Sequence, residues 1–136
     1  MISLILCALA GMLNATYEIL FVGFKYSIFR KLNPKYWDPY KSWIYKWKYP
    51  LTVPTKHWYY FKIYPRYEER FPYSSTIFVW LTDAWHLFKA IMLMCLMLAV
   101  VFYTPIVNTF VDFIMLYCVF TFTFTIFFDY ILRIKK

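Results

Sequence analysis

Three long apolar segments separated by one polar, aromatic segment dominate the hydropathy pattern of this chain. The apolar segments cover residues 2–24, 77–103 and 106–132. Each is long enough to cross roughly 30 Å of hydrocarbon as an α-helix. An isolated strand cannot satisfy its backbone in lipid, so we expect a helix even where residues 120–126 alternate with a period of two. The pattern predicts an all-α membrane protein with three transmembrane helices.

The first apolar segment carries small residues at successive i+4 positions: Ser3, Cys7, Gly11 and Ala15. Such a stripe lets helix backbones approach closely in lipid, so we interpret it as a helix-packing face. Asn14 and Glu18 are also four residues apart and project into the same sector. They form either a hydrogen-bonded structural pair or the setting of a functional carboxylate.

The segment over residues 25–76 contains six of the seven prolines and therefore cannot form one long helix. Asp38 followed by Pro39 is typical of a helix N-cap and first helical position. We predict an amphipathic helix from there to about Tyr49, lying in the membrane interface. The residues that would contact lipid are Tyr36, Tyr40, Trp43 and Trp47, with Lys41, Lys46 and Lys48 beside them. The alternative is an irregular loop carrying the same aromatic residues.

The second apolar segment has ionisable residues near its start. Residues 73–76 supply candidate helix N-caps, and the span follows from about residue 77. If the hydrocarbon region begins near Trp85, then Trp80 and Trp85 form an interfacial belt and Lys89 snorkels outward to the headgroups. This boundary is the one we predict. It places Asp83 and His86 at the interface.

Composition and charge exclude a soluble domain and define an orientation. The chain is 62% hydrophobic and 26% aromatic, more apolar surface than 136 residues can bury. Residues 25–70 hold eleven Lys or Arg against three acids, which accounts for the whole formal charge of +8. Cytoplasmic loops carry such an excess, so we predict an N-out, C-in topology with a basic tail at 133–136.

The same charge distribution indicates the partners. Anionic lipid headgroups are the expected partner of the basic segment, with a membrane protein or a second copy of the chain as further possibilities. No nucleic-acid partner is predicted. The whole chain is expected to form one membrane unit, in a bacterial inner membrane. Three cysteines inside apolar spans predict no disulfide framework.

One polar cluster is a candidate for chemistry. Glu18, Asp83, His86 and Asp129 are expected within about a dozen Å of depth, at 1.5 Å per helical residue. On the second span, His86 would share a face with Asp83, Ala90, Met94 and Met97. A carboxylate–His–carboxylate set is a possible metal site or proton relay. No catalytic motif accompanies it, so structural polar contacts are the preferred interpretation, and no cofactor or catalytic residue is predicted.

Residues 33–43, together with 81–88, resemble small integral membrane proteins encoded in bacterial and phage genomes. The resemblance covers residues 10–95 and implies no activity. The leading hypothesis is a non-enzymatic membrane protein that binds lipid or docks a partner. Its alternatives are a proton or ion conductor or metal-dependent enzyme using Glu18, Asp83 and His86, and a holin-like lesion former, the last by analogy of topology alone.

Overall fold

The computed structural model describes residues 1–43, 47 and 69–134, and in these residues the chain forms helices and turns with two isolated bridges but no strand. The helices are α1 (Ile2–Gly23), α2 (Pro34–Trp37), α3 (Pro39–Ser42), α4 (Ala84–Val101) and α5 (Thr109–Thr125), the last continuing as a π-helical segment, Ile126–Leu132. Three helices are long and apolar enough to cross a membrane: Ile2–Tyr26, Ala84–Val101 and Thr109–Leu132. The predicted all-helical class with three candidate spans is therefore confirmed.

Helix α1 lies at the centre, packed on both α4 and α5, while α4 and α5 hardly contact each other. The Ser3 hydroxyl donates a hydrogen bond to the carbonyl oxygen of Phe102, 3.1 Å away, so α4 ends beside the start of α1. The Ile134 N–H donates to the Tyr26 carbonyl oxygen at 2.8 Å, so the end of α5 lies beside the end of α1. Helix α4 is therefore antiparallel to α1, and α5 is parallel to it.

The packing of α1 on α5 depends on a glycine. A Cβ added at Gly11 would overlap the Thr123 hydroxyl and the Phe120 carbonyl oxygen. Closer to the other end, Ala15 and Ile19 form a buried cluster with Leu132. Small residues let the two backbones approach closely at Gly11, and larger apolar residues pack between the helices nearer the other end.

Helix α5 explains how the alternating Phe–Thr stretch is accommodated. The Thr121, Thr123 and Thr125 hydroxyls donate to the carbonyl oxygens four residues earlier, at 2.9, 2.8 and 2.9 Å. Each hydroxyl is thus satisfied within its own helix, as lipid requires. The prediction of a helix rather than a strand is confirmed.

After α1 the chain forms two 3-10 turns and two very short helices. Asn33 caps α2 and Asp38 caps α3, each accepting from a backbone N–H two residues on, and proline follows each cap. The predicted cap at Asp38 is confirmed, but α3 ends at Ser42. Trp47 forms an isolated antiparallel bridge with Glu69, so the predicted helix to Tyr49 is wrong at that residue. Lys46 and Lys48 lie outside the described residues.

Helix α4 begins at Ala84, seven residues later than the predicted start of the second span. Residues 72–78 form turns, and a 3-10 turn follows over Val79–Leu81. Asp83 has φ −156° and ψ 161°, an extended conformation outside the helix, and its side chain caps α4. The cap expected within residues 73–76 is therefore at Asp83 instead.

Candidate functional site

The candidate site is organised by the Asp83 carboxylate, which is 1% exposed. One carboxylate oxygen accepts a hydrogen bond from the His86 N–H at 2.8 Å, and the other lies 2.7 Å from His86 Nδ1. The first bond satisfies a free N–H group of the first helical turn, and the second orients the imidazole ring. Asp83 is thus a helix cap whose carboxylate binds both the backbone N–H and the side chain of His86.

An aromatic shell surrounds this cap. The Trp85 ring stacks on Tyr17 at 5.3 Å and on Phe21 at 5.6 Å between ring centroids, and meets the His86 ring edge-on at 4.3 Å. Lys89 Nζ lies 5.5 Å from the Trp85 centroid and 5.6 Å from that of Tyr17. An ammonium over aromatic faces is favourable, so the Lys89 charge is stabilised next to the site.

Tyr36 packs against the same end of the bundle. Its ring joins Leu20, Phe24 and Ala84 in a buried cluster. Burial, and then the negative charge of Asp83, raise the pKa of the Tyr36 hydroxyl above its usual value. Tyr36 is half-buried with its ring on the helices, and its predicted contact with lipid stays a prediction.

The other predicted polar residues do not join Asp83 and His86. Asn14 and Glu18 are only partly buried, and no hydrogen bond links either side chain to another described residue. Asp129 is exposed, and within the described chain it forms no ion pair with Arg133. Among the described residues, no three His, Cys, Asp or Glu side chains form a possible metal site. Glu18 therefore does not complete the ligand set considered from the sequence.

The face of α4 that carries Met94 and Met97 is not buried in the bundle. Met94 and Met97 are 56% and 68% exposed, whereas Ala84 and Ala99 are buried. Ala90 is half-buried. Asp83 lies before the helix, so the 100° step does not apply to it. His86, Ala90, Met94 and Met97 lie within α4 and share a face as predicted, but the two methionines leave this face exposed.

The packing stripe of α1 is buried along its length. All four of its residues are inaccessible or nearly so: Ser3, Cys7, Gly11 and Ala15.

The three cysteines are free, and they range from buried Cys7 to exposed Cys118.

Exposed cations gather at the end of the bundle that contains Asp83. Five of them follow α1, and we call them the basic platform: Lys25, Arg30, Lys31, Lys35 and Lys41. Exposed Lys89 and Arg133 lie on the parts of α4 and α5 nearest to it. Tyr40 and Trp43 are 73% and 47% exposed beside the platform, while Trp80 and Trp85 are half-buried. The position of these four residues at a lipid interface stays a prediction.

A second carboxylate, outside the predicted polar cluster, organises the opposite end. Asp112 is 1% exposed and accepts hydrogen bonds from the Ile106 and Val107 N–H groups at 2.8 and 3.1 Å. It also accepts one at 2.8 Å from the Tyr103 hydroxyl, and this bond raises the pKa of Tyr103. The sequence does contain a signal for this role: Asp112 is an acid in the first turn of α5, just after the Asn108 cap. A carboxylate at that position can accept hydrogen bonds from N–H groups of the preceding loop.

Comparisons with protein-family models, curated proteins and solved structures gave no match. The resemblance to small bacterial and phage membrane proteins therefore stays a prediction.

Proposed function

We propose that this chain is a non-enzymatic integral membrane protein whose basic platform binds anionic lipid headgroups at the cytoplasmic surface of a bacterial inner membrane. The observation that carries the proposal is the exposure of all five platform cations at one end of a three-helix unit. Residues 1–24 and 90–132 contain no Lys or Arg, so the charge is strongly asymmetric along the spans. Under the positive-inside rule, this asymmetry favours an N-out, C-in orientation.

The aromatic contacts support the same proposal because they hold the platform against the helices. Trp37 stacks on Phe29 at 5.1 Å and approaches Phe88 of α4 at 6.1 Å. Tyr40 stacks on Phe21 of α1 at 6.3 Å. A platform fixed in this way presents its cations without paying the full entropy of ordering a loose chain on binding.

The magnitude of the interaction is large enough to matter. A Lys or Arg near an anionic leaflet contributes roughly 1 kcal/mol. Five such cations therefore contribute on the order of 5 kcal/mol, screened by salt over a Debye length of about 8 Å at physiological ionic strength. Asp83 is occupied as a helix cap, and among the described residues no third His, Cys, Asp or Glu side chain joins it and His86 in a possible metal site. A lipid-binding role is therefore preferred to an ion conductor or a metal enzyme.

The test is to extract the protein from a membrane in polymer-bounded lipid discs and to measure the lipid that accompanies it. The native protein should be enriched in anionic phospholipid relative to the bulk membrane, and high salt should reduce the enrichment. A variant carrying glutamine at all five platform positions should lose it. A matched variant with Lys25, Lys31, Lys35 and Lys41 changed to arginine keeps the charge and should keep the enrichment.

Equal anionic lipid content in all three proteins would refute lipid binding by the platform. Cross-linking of the platform to an acidic protein would then identify protein docking as its role.

A further inference from the structure

A cavity of about 310 Å³ lies where α1 meets the basic platform. Its apolar side is formed by Phe21 and Val22 in the last turns of α1, and its polar side includes Lys25, Asp38, Tyr40 and Lys41. The volume is at the lower end of the range for small-molecule sites, which fits part of a larger ligand rather than a whole one.

The charges around the cavity favour a single negative group. Two lysines and one aspartate give a net charge of +1. Asp38 is engaged within the protein, because it accepts from the Tyr40 N–H at 3.1 Å and lies 3.9 Å from Lys41 Nζ. Among the described residues, no carboxylate is within ion-pair distance of Lys25. One phosphodiester, with its charge of −1, would balance the cavity.

The apolar side places this charge at a lipid boundary. Phe21 and Val22 are 44% and 71% exposed, and both belong to a helix apolar enough to cross a membrane. Lys25 lies two residues after the end of α1, in the 3-10 turn Phe24–Tyr26, so the cavity passes from exposed apolar side chains to cations within about one helical turn. The stacked Tyr40 ring joins the two regions, as an amphipathic aromatic does at a membrane interface.

We propose that this cavity binds the phosphodiester of one membrane phospholipid. The ammonium groups of Lys25 and Lys41 donate to the phosphate oxygens, and the acyl chains lie along Phe21 and Val22. The inference rests on the proposed function and narrows it from a charged surface to a single site. The chemistry recognised is the phosphate group, so different phospholipids that share it should bind.

The test uses purified, delipidated protein titrated with phospholipid and observed by native mass spectrometry. We expect one tightly bound phospholipid per chain, whether the headgroup is glycerol or choline. Lys25→Gln with Lys41→Gln should weaken this binding at least about tenfold, because charge-assisted hydrogen bonds to phosphate are lost. The control, Lys31→Gln with Lys35→Gln, removes the same charge from platform residues that do not line the cavity and should change binding less than about twofold.

The outcomes separate this site from the platform as a whole. Equal weakening by both pairs of substitutions would overturn the site while leaving the platform intact. If the native protein shows no anionic lipid enrichment in the discs but still retains one phospholipid per chain, the platform is refuted and the site is not. Millimolar inorganic phosphate that displaces the phospholipid would show a site for free phosphate instead. Should the double variant be less stable, Lys25→Gln alone leaves the Asp38–Lys41 pair in place and serves as the test.

Discussion

Asp83 binds His86 twice, accepting from its backbone N–H at 2.8 Å and lying 2.7 Å from its ring Nδ1. The carboxylate is almost completely buried, and the aromatic rings of Trp85 and Tyr36 lie near it. A buried carboxylate without such bonds would be strongly destabilising. The contact therefore fixes the point at which the chain enters α4.

Replacing Asp83 tests this cap. Asp83→Ala should lower the free energy of unfolding by about 1–2 kcal/mol, the usual cost of removing an N-cap side chain. Asp83→Asn should cost less, because the amide oxygen still accepts from the His86 N–H. Reversible unfolding in detergent micelles, followed by circular dichroism, measures both. Equal stability of the alanine variant and the native protein would show that the cap is dispensable.

Gly11 and Gly23 provide a matched pair of substitutions within one helix. Gly11→Ala should destabilise the protein by about 1–3 kcal/mol, because the new Cβ overlaps Thr123 and the backbone at Phe120. Gly23→Ala meets only the Ile19 side chain, with Cδ1 3.1 Å away. The flexible end of that side chain can move, so this change should alter stability by less than about 0.5 kcal/mol. The same micelle unfolding assay compares them, and equal effects would contradict close packing of α1 on α5 at Gly11.

Glu69 should titrate below its ordinary value. The Ser75 hydroxyl donates to its carboxylate, and so do the N–H groups of Ser75 and Tyr73, which holds the pKa of Glu69 below 4.5. These bonds contribute stability above pH 4.5, and the contribution is lost as pH falls through the lowered pKa. Ser75→Ala should therefore raise the pKa of Glu69 towards 4.5. The chain has only three glutamates, so carbon-13 labelling of their carboxyls resolves Glu69, with Glu69→Gln as the assignment control.

The orientation can be tested with two cysteine substitutions in a variant lacking Cys7, Cys95 and Cys118. Lys31 and Thr104 are both exposed, and they lie at opposite ends of the helical unit. In intact cells, a membrane-impermeant maleimide should label Thr104→Cys and leave Lys31→Cys unlabelled until the membrane is opened. Labelling of Lys31→Cys alone would reverse the proposed topology.

The helices could be predicted from the sequence wherever one physical constraint decides between helix and strand. Lipid forbids an unpaired strand, and this constraint alone identifies residues 120–126 as helical. The small-residue periodicity of α1 likewise locates its buried stripe. Helix α2 was missed, although Asn33–Pro34 has the same cap signature as Asp38–Pro39. Because the two signatures are the same, Asn33–Pro34 indicates a helix start as well as Asp38–Pro39 does.

The side-chain environment of the site could not be obtained from spacing. Whether Tyr36 contacts lipid or the helices depends on how the chain after α1 folds back, and no local pattern contains that information. Spacing also did not show that Asp83 lies before α4 as its cap rather than on a face of the helix. Glu18 shares an approximate depth with Asp83, but depth along a span says nothing about direction around it.

The central position of α1 has a consequence for biogenesis. Helices α4 and α5 hardly contact each other, and each packs chiefly on α1. Helix α1 precedes both in the chain, so each later helix has its packing partner already synthesised when it emerges from the ribosome. Helix pairing can therefore follow the order of synthesis. A substitution that disrupts α1 would remove the packing partner of α4 and of α5 at once.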